Sequence, residues 1–303
     1  ADKALSDLMH QVLHNPDFQT LEVLWRSVDF LITRLELDED LQLNILDVSK
    51  DELLQDIRQS GSELEHSELY RLLLEQGVEL YGVDHWSLMI GLYSFDNSES
   101  DTQLLAGLGA IGAHAGGPFI AQASTRLLGC DSLVRTPNPR DWNDMNTDAG
   151  QRWNALRTSA VAPWIGLVLP RLLLRLPYGE ETDEIDSFVF EEVIDTAENQ
   201  KFLWGSSAVG CAVLIGQAFT EQRWQMSPDD IRDIGELPAY CYTDDGESKL
   251  LPCAEVDLTE TAANKILDHG LMPMIGLHNT NTVRLLRFQS IASPARALAG
   301  AWA

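Results

Sequence analysis

The stretch LLAGLGAIGAHAGGPFIAQAS (residues 104–124) contains a complete G-x-G-x-x-G at Gly107, Gly109 and Gly112. A dinucleotide fingerprint requires a strand that runs straight into the first glycine and a helix that opens on the motif. Here the preceding apolar run ends near Phe95, and a polar stretch, residues 96–103, intervenes. Leu104, Leu108, Ile111 and Ala115 then share one helical face, which places the glycines inside a helix beginning near Ser100. Asp101 sits at that N-terminus, where a pyrophosphate would lie, and would repel it. Each interior glycine costs about 1 kcal/mol relative to alanine, so a packing reason is expected: close approach of this helix to a sheet.

Outward from this helix, the pattern alternates helices and strands. Residues 86–95 and 118–123 read as strands on either side of it. Upstream, Leu5, Leu8, Met9, Val12 and Leu13 recur at helical spacing. Asn15 and Pro16 then cap a second helix whose apolar face carries Phe18, Leu21, Leu24, Trp25, Val28 and Leu31. Residues 41–48 alternate and are expected as a strand. Ser49 with Glu52, and Ser62 with Glu65, are capping boxes. Downstream, residues 131–150 are polar and turn-rich, and residues 164–169 form a continuous apolar run that continues as 172–176 past Pro170. An acidic loop (179–186) precedes residues 188–192, and residues 202–219 read as a long small-residue helix. Strand-like runs 240–243 and 254–256 bracket the turn TDDGES. A helix follows near residues 259–269, and runs 272–277 and 283–288 make a hairpin around HNTN. The predicted class is α/β: a mixed sheet flanked by helices, spanning residues 1–303, with a helical subdomain at 1–35 and an α/β core at 36–303.

The balance of 21 basic against 47 acidic residues gives a net charge of −26. Such a surface repels nucleic acid and anionic lipid and favours basic partners. There is no signal-peptide pattern, and no apolar run reaches the roughly 20 residues of a membrane span, so a cytoplasmic protein is expected. Of the four cysteines, Cys211 lies in an apolar run. Cys241 and Cys253 flank a hairpin and are expected as half-buried thiols, a disulfide between them being the alternative.

No constellation of residues assembles a reaction. His10 and His14 share a helical face but lack H-E-x-x-H spacing and a third ligand nearby. WGSSAVG (204–210) has G-x-S-x-x-G rather than nucleophile-elbow spacing, and Ser206 is expected as a helix cap. The carboxylates Glu180, Glu181, Asp183, Glu184 and Asp186 lack EF-hand spacing and read as a solvated loop. His114 is expected as a satisfied buried histidine, and His278 and Asn279 as turn formers. These readings give no catalytic residue, cofactor or metal. A nucleotide-binding enzyme using the glycine segment or Ser206 is the distant alternative.

Several longer stretches carry a resemblance. VLHNPDFQTLEVLWR (12–26), VSKDELLQDI (48–57), PFIAQAS, NPRD, RWNALR, WIGLVLPRLLLRLPYG (164–179), FEE (190–192), KFLWGSSA, YTDDGESKLLPCAEV and GLMPMIGLHNTNTVRLLRFQS occur in this order. Together they resemble the large subunit of the contractile sheath of bacterial type VI secretion systems, the TssC or VipB family, over residues 5–290. The resemblance implies an α/β core without catalytic residues. It also implies pairing with a small sheath subunit, stacking around a tube of ring proteins, recycling by a hexameric unfoldase, and contact with a baseplate.

Two departures qualify the likeness. Family members usually carry longer segments at both ends, and SPDDIRDIGE (227–236) replaces their glycine-rich stretch before LP. A fragment, part of a fused sheath protein, and a divergent accessory or capping member all stay open. In the family, the chain beyond FQS continues into an arm that ties neighbours together. Residues 283–290 are accordingly expected as an exposed edge strand, with Val283, Arg284, Leu285, Leu286, Arg287 and Phe288 as candidate subunit contacts.

Overall fold

A computed structural model of the chain describes residues 2–61, 63–76, 86–143, 147–180, 182–193, 201–244 and 247–302. The principal helices are α1 (Asp2–Leu13), α2 (Pro16–Arg34), α3 (Lys50–Ser60), α4 (Glu99–Ala115), α5 (Asp148–Arg157), α6 (Ala208–Gln222) and α7 (Glu260–Asp268). The strands are β1 (Met89–Phe95), β2 (Phe119–Ala123), β3 (Ile165–Leu169), β4 (Leu172–Leu173), β5 (Trp204–Gly205), β6 (Asp233–Ile234), β7 (Cys241–Asp244), β8 (Glu247–Leu250), β9 (Met272–Gly276) and β10 (Val283–Leu285).

Strands β1, β2, β3 and β9 run parallel in a six-stranded sheet of order β1-β2-β3-β9-β10-β6, and β10 and β6 close it antiparallel. The mixed sheet flanked by helices is thus the observed architecture. Side-chain alternation along the central strands feeds two cores. Phe119, Ala121, Ile165 and Leu167 join α3, α4, α5 and α7 on one face, and Ile120, Val168, Met272 and Met274 join α2 and α6 on the other. Burial on both faces explains the continuous apolar run at residues 165–169.

The local signals act as expected. Asn15 Oδ1 accepts from the Asp17 and Phe18 amides at 2.9 and 3.3 Å. The capping box of Ser49 and Glu52 is formed in both directions. Ser62 lies outside the described residues; the short helix beyond it is capped by Ser67, whose Oγ accepts from the Tyr70 amide. The three glycines lie inside α4, which opens at the N-cap Ser98. A methyl at Gly109 would fall 2.7 Å from Ile165 of β3, and one at Gly112 would fall 2.8 Å from the Gly117 carbonyl. Close approach is therefore the reason for these glycines.

Four expectations are corrected. Residues 41–48 form no strand and belong to no sheet among the described residues. Alternation of apolar and polar residues is not enough to make a strand, because pairing depends on what lies beside the segment. The helix expected from residue 202 begins at Ala208, because Trp204 and Gly205 pair with Leu173 and Leu172. The second strand of the hairpin around TDDGES is β8, not residues 254–256; Asp245 and Gly246 in its turn lie outside the described residues. Finally, β10 is no edge: β9 flanks it on one side and β6 on the other.

Candidate interaction surface

Helices α1 and α2 turn apolar residues to solvent. On α1, Leu5, Leu8 and Val12 are exposed at spacings of three and four, one helical stripe. On α2, Phe18, Leu21, Trp25 and Ile32 form a second stripe, with Trp25 67% exposed. The apolar face expected for α2 is thus divided, since Phe30 and Leu31 go inward onto α6 while Phe18, Leu21 and Trp25 face out. The exposed series continues through Leu37, Ile45 and Leu46. Scattered exposed leucines are ordinary, but apolar residues repeated at helical spacing on two consecutive helices make this a candidate association surface.

A buried ionic cluster holds this surface against the body. Arg175 lies in the apolar run after β4, and its guanidinium is 5% exposed. It donates to Glu22 of α2 at 2.7 and 3.3 Å and to Glu192 at 2.6 and 3.0 Å, a fork on each carboxylate. Glu192 is 1% exposed and also accepts from the Tyr178 amide at 2.9 Å. Burial opposes the charge on Glu22, but hydrogen bonds from Arg175 and Arg26 outweigh it and hold the carboxyl below its ordinary range. On Arg175, burial is likewise outweighed by hydrogen bonds from Glu192 and Glu22, which raise its pKa. Glu22, Arg175 and Glu192 come from three of the resembling stretches and meet at one point. Each lies in an amphipathic or apolar segment that carries other charged residues, and nothing in their spacing announces that they converge.

His10 and His14 serve the same attachment. The two ring nitrogens of His10 lie 2.9 Å from the Ser6 and Glu191 carbonyls, and its ring is 4.9 Å from that of Phe190. His14 Nε2 is buried 3.9 Å from Glu192, and burial lowers its pKa.

The other candidates are dispersed. Ser206 is not the cap expected: the N-cap of α6 is Ser207, which makes no side-chain capping bond and whose hydroxyl donates instead to the Pro170 carbonyl, while Ser206 Oγ accepts from the Ala208 amide at 3.2 Å. His114 is exposed rather than buried, and its Nδ1 lies 2.8 Å from the Ala110 carbonyl. Asn279 takes a left-handed φ of 54° in the turn after β9. All four cysteines are free thiols, with Cys241 exposed and Cys253 buried, so the half-buried pair is not found. Burial pushes the Cys253 thiol up to about 11. Glu181 lies outside the described residues. Among the described residues, no three His, Cys, Asp or Glu side chains are grouped to hold a metal, and no helix is long and apolar enough to cross a membrane.

Of the candidate contacts in residues 283–288, Val283, Leu285 and Phe288 are buried in the core around α6. Arg284 is bound to Asp233 of β6 at 2.5 and 2.6 Å, and Leu286 and Arg287 reach the surface.

Comparison with known proteins identifies the setting of this surface. The type VI secretion system sheath protein TssC1 of Pseudomonas aeruginosa is 33% identical over 300 residues, which cover 97% of this chain and 60% of that protein. The chain therefore spans about three-fifths of the relative's length. Residues 1–292 match the model of the VipB family, described as EvpB/VC_A0108, tail sheath N-terminal domain. By both measures the chain belongs to the VipB family of tail sheath proteins.

Proposed function

We propose that the chain is a structural unit of a type VI secretion sheath and works by association rather than catalysis. The observation that carries this reading is the outward apolar stripe of α1 and α2, fixed in place by the Glu22–Arg175–Glu192 cluster, on a member of a sheath family. An apolar surface held rigidly loses little conformational entropy when a partner covers it. The partner is the other, smaller sheath subunit, and the net charge of −26 favours a basic contact surface on it. Leu286 and Arg287, with the Arg284–Asp233 pair, form a second, smaller contact area on the same reading. The inner-tube ring protein, baseplate and recycling unfoldase are partners of the assembled sheath in the cytoplasm.

Co-expression with the small sheath subunit, followed by co-purification and electron microscopy, tests the reading. A stable complex that is lost in Trp25→Asp, with the variant still folded, is expected. Failure of the wild-type chain to bind that subunit would refute it.

A further inference from the structure

Many cations of this acidic chain sit against a carboxylate: Arg26 on Glu22, Lys50 on Asp101, Arg126 on Asp96, Arg171 on Glu255 and Arg284 on Asp233. A groove of about 660 Å³ between the turn at Pro139–Asp141 and α7 is different. Arg140 and Asn143 line one wall, and Asn264, Lys265 and Asp268 of α7 line the other. Neither the Arg140 guanidinium nor the Lys265 ammonium has a hydrogen bond or ion pair among the described residues. At the end of α7, Arg157 donates to the Ile291 and Asp268 carbonyls at 2.9 and 3.3 Å and meets no carboxylate among the described residues, so its charge adds to theirs. Asp268 supplies a single lining carboxylate against these cations. Uncommitted cations beside a side-chain amide are the chemistry that recognises carboxylates.

We propose that this groove receives the acidic loop of a second copy of this chain, residues 182–189, with Arg140 and Lys265 binding its carboxylates. The loop offers the complementary chemistry. Asp183, Glu184 and Asp186 are exposed, and their side chains have no hydrogen bond or ion pair among the described residues. The base of the loop is fastened: Thr182 Oγ1 donates to the Pro177 carbonyl at 2.6 Å, and the Gly179 amide donates to the Asp183 carbonyl at 3.1 Å. A loop already held in place loses little entropy on docking. Copies that each carry a net charge of −26 repel one another, so a repeated assembly requires a local reversal of sign, which the groove supplies. Groove and loop are different patches, so the contact is head-to-tail, the kind that extends into an open helical array when its rotation does not close.

The inference rests on the sheath reading, which supplies an assembly of many copies. Its test starts from the complex with the small sheath subunit, prepared from a mixture of isotope-labelled and unlabelled chain and treated with a carbodiimide, which joins amines directly to carboxylates in contact. Peptides that link Lys265 of a labelled copy to Asp183, Glu184 or Asp186 of an unlabelled one are expected. Arg140→Glu with Lys265→Glu, and separately Asp183→Lys with Glu184→Lys, should retain the small subunit but weaken association between complexes about tenfold or more in sedimentation, and the four changes together should restore it. Melting of each variant checks that the fold survives, and Arg140→Gln with Lys265→Gln, expected to weaken association in the same direction, replaces a reversal that does not fold. Unaltered association in either reversal, no recovery in the combined variant, Lys265 linked only to the small subunit, or complexes that do not associate with one another overturns the inference and keeps the sheath reading. Absence of any complex with the small subunit overturns both.

Discussion

Residues 41–48 and residues 283–288 exchange the roles expected of them. The former alternate like a paired strand yet stand open, with Ile45 in solvent. The latter are expected from the family resemblance as an open edge yet are enclosed, with Val283 and Leu285 fully buried between β9 and β6. The difference teaches that a free edge is a property of neighbours. Residues 283–285 are closed by the two-residue strand Asp233–Ile234, a partner too short and polar to register as a strand. Among the described residues, 41–48 are held in place by side chains at their ends, with no backbone ladder alongside.

The enclosed region should be the less tolerant by a wide margin. Leu285→Asp, and likewise Leu167→Asp in β3, would bury an unpaired carboxylate at fully covered positions and is expected to abolish soluble, cooperatively folded protein. Expression and calorimetry check this. Leu286→Pro would remove a donor bonded to the Pro273 carbonyl at 3.1 Å and should weaken the fold itself.

Next in size is the attachment of the open side. Arg175→Ala leaves Glu22 and Glu192 buried without their guanidinium and should cost about 3–5 kcal/mol in denaturant unfolding. Limited proteolysis should then cut first in α1 and α2. Gly109→Leu overpacks α4 against Ile165 and should cost about 1–3 kcal/mol without altering α1.

A smaller effect follows from pH. Burial holds the folded His14 below its ordinary 6.5, so its contribution is complete above that value and is lost as pH falls through the lowered one. Glu22, lowered from 4.5, adds a second loss at more acid pH. The melting temperature should therefore fall from pH 7.5 to pH 5.5 and fall again toward pH 4, and His14→Leu should remove the first step. The smallest effect belongs to the open segment: Ile45→Asp should change stability by less than about 0.5 kcal/mol.

Much of the fold was legible because its signals are local. Asn15, and Ser49 with Glu52, cap helices where sequence places them, and the central strands declare themselves by continuous apolar character. The glycines of α4 were readable through the polar stretch that separates them from β1. What escaped is set by distant partners. The division of α2 into inward and outward stripes depends on where α6 lies, and amphipathic periodicity gives no direction. The β4–β5 pair shortened α6 from its expected start. The Glu22–Arg175–Glu192 cluster joins residues far apart in the chain, and no motif spacing encodes it.

Hydrogen exchange of the isolated chain, read amide by amide, tests the exchanged roles most directly. The account predicts that the amides of residues 42–47 exchange at nearly the rate of an unfolded peptide, while those of Leu285 and Leu286, bonded to Arg232 and Pro273 carbonyls, exchange only through large-scale unfolding. Strong protection at residues 42–47, or rapid exchange at Leu285 and Leu286, would contradict it.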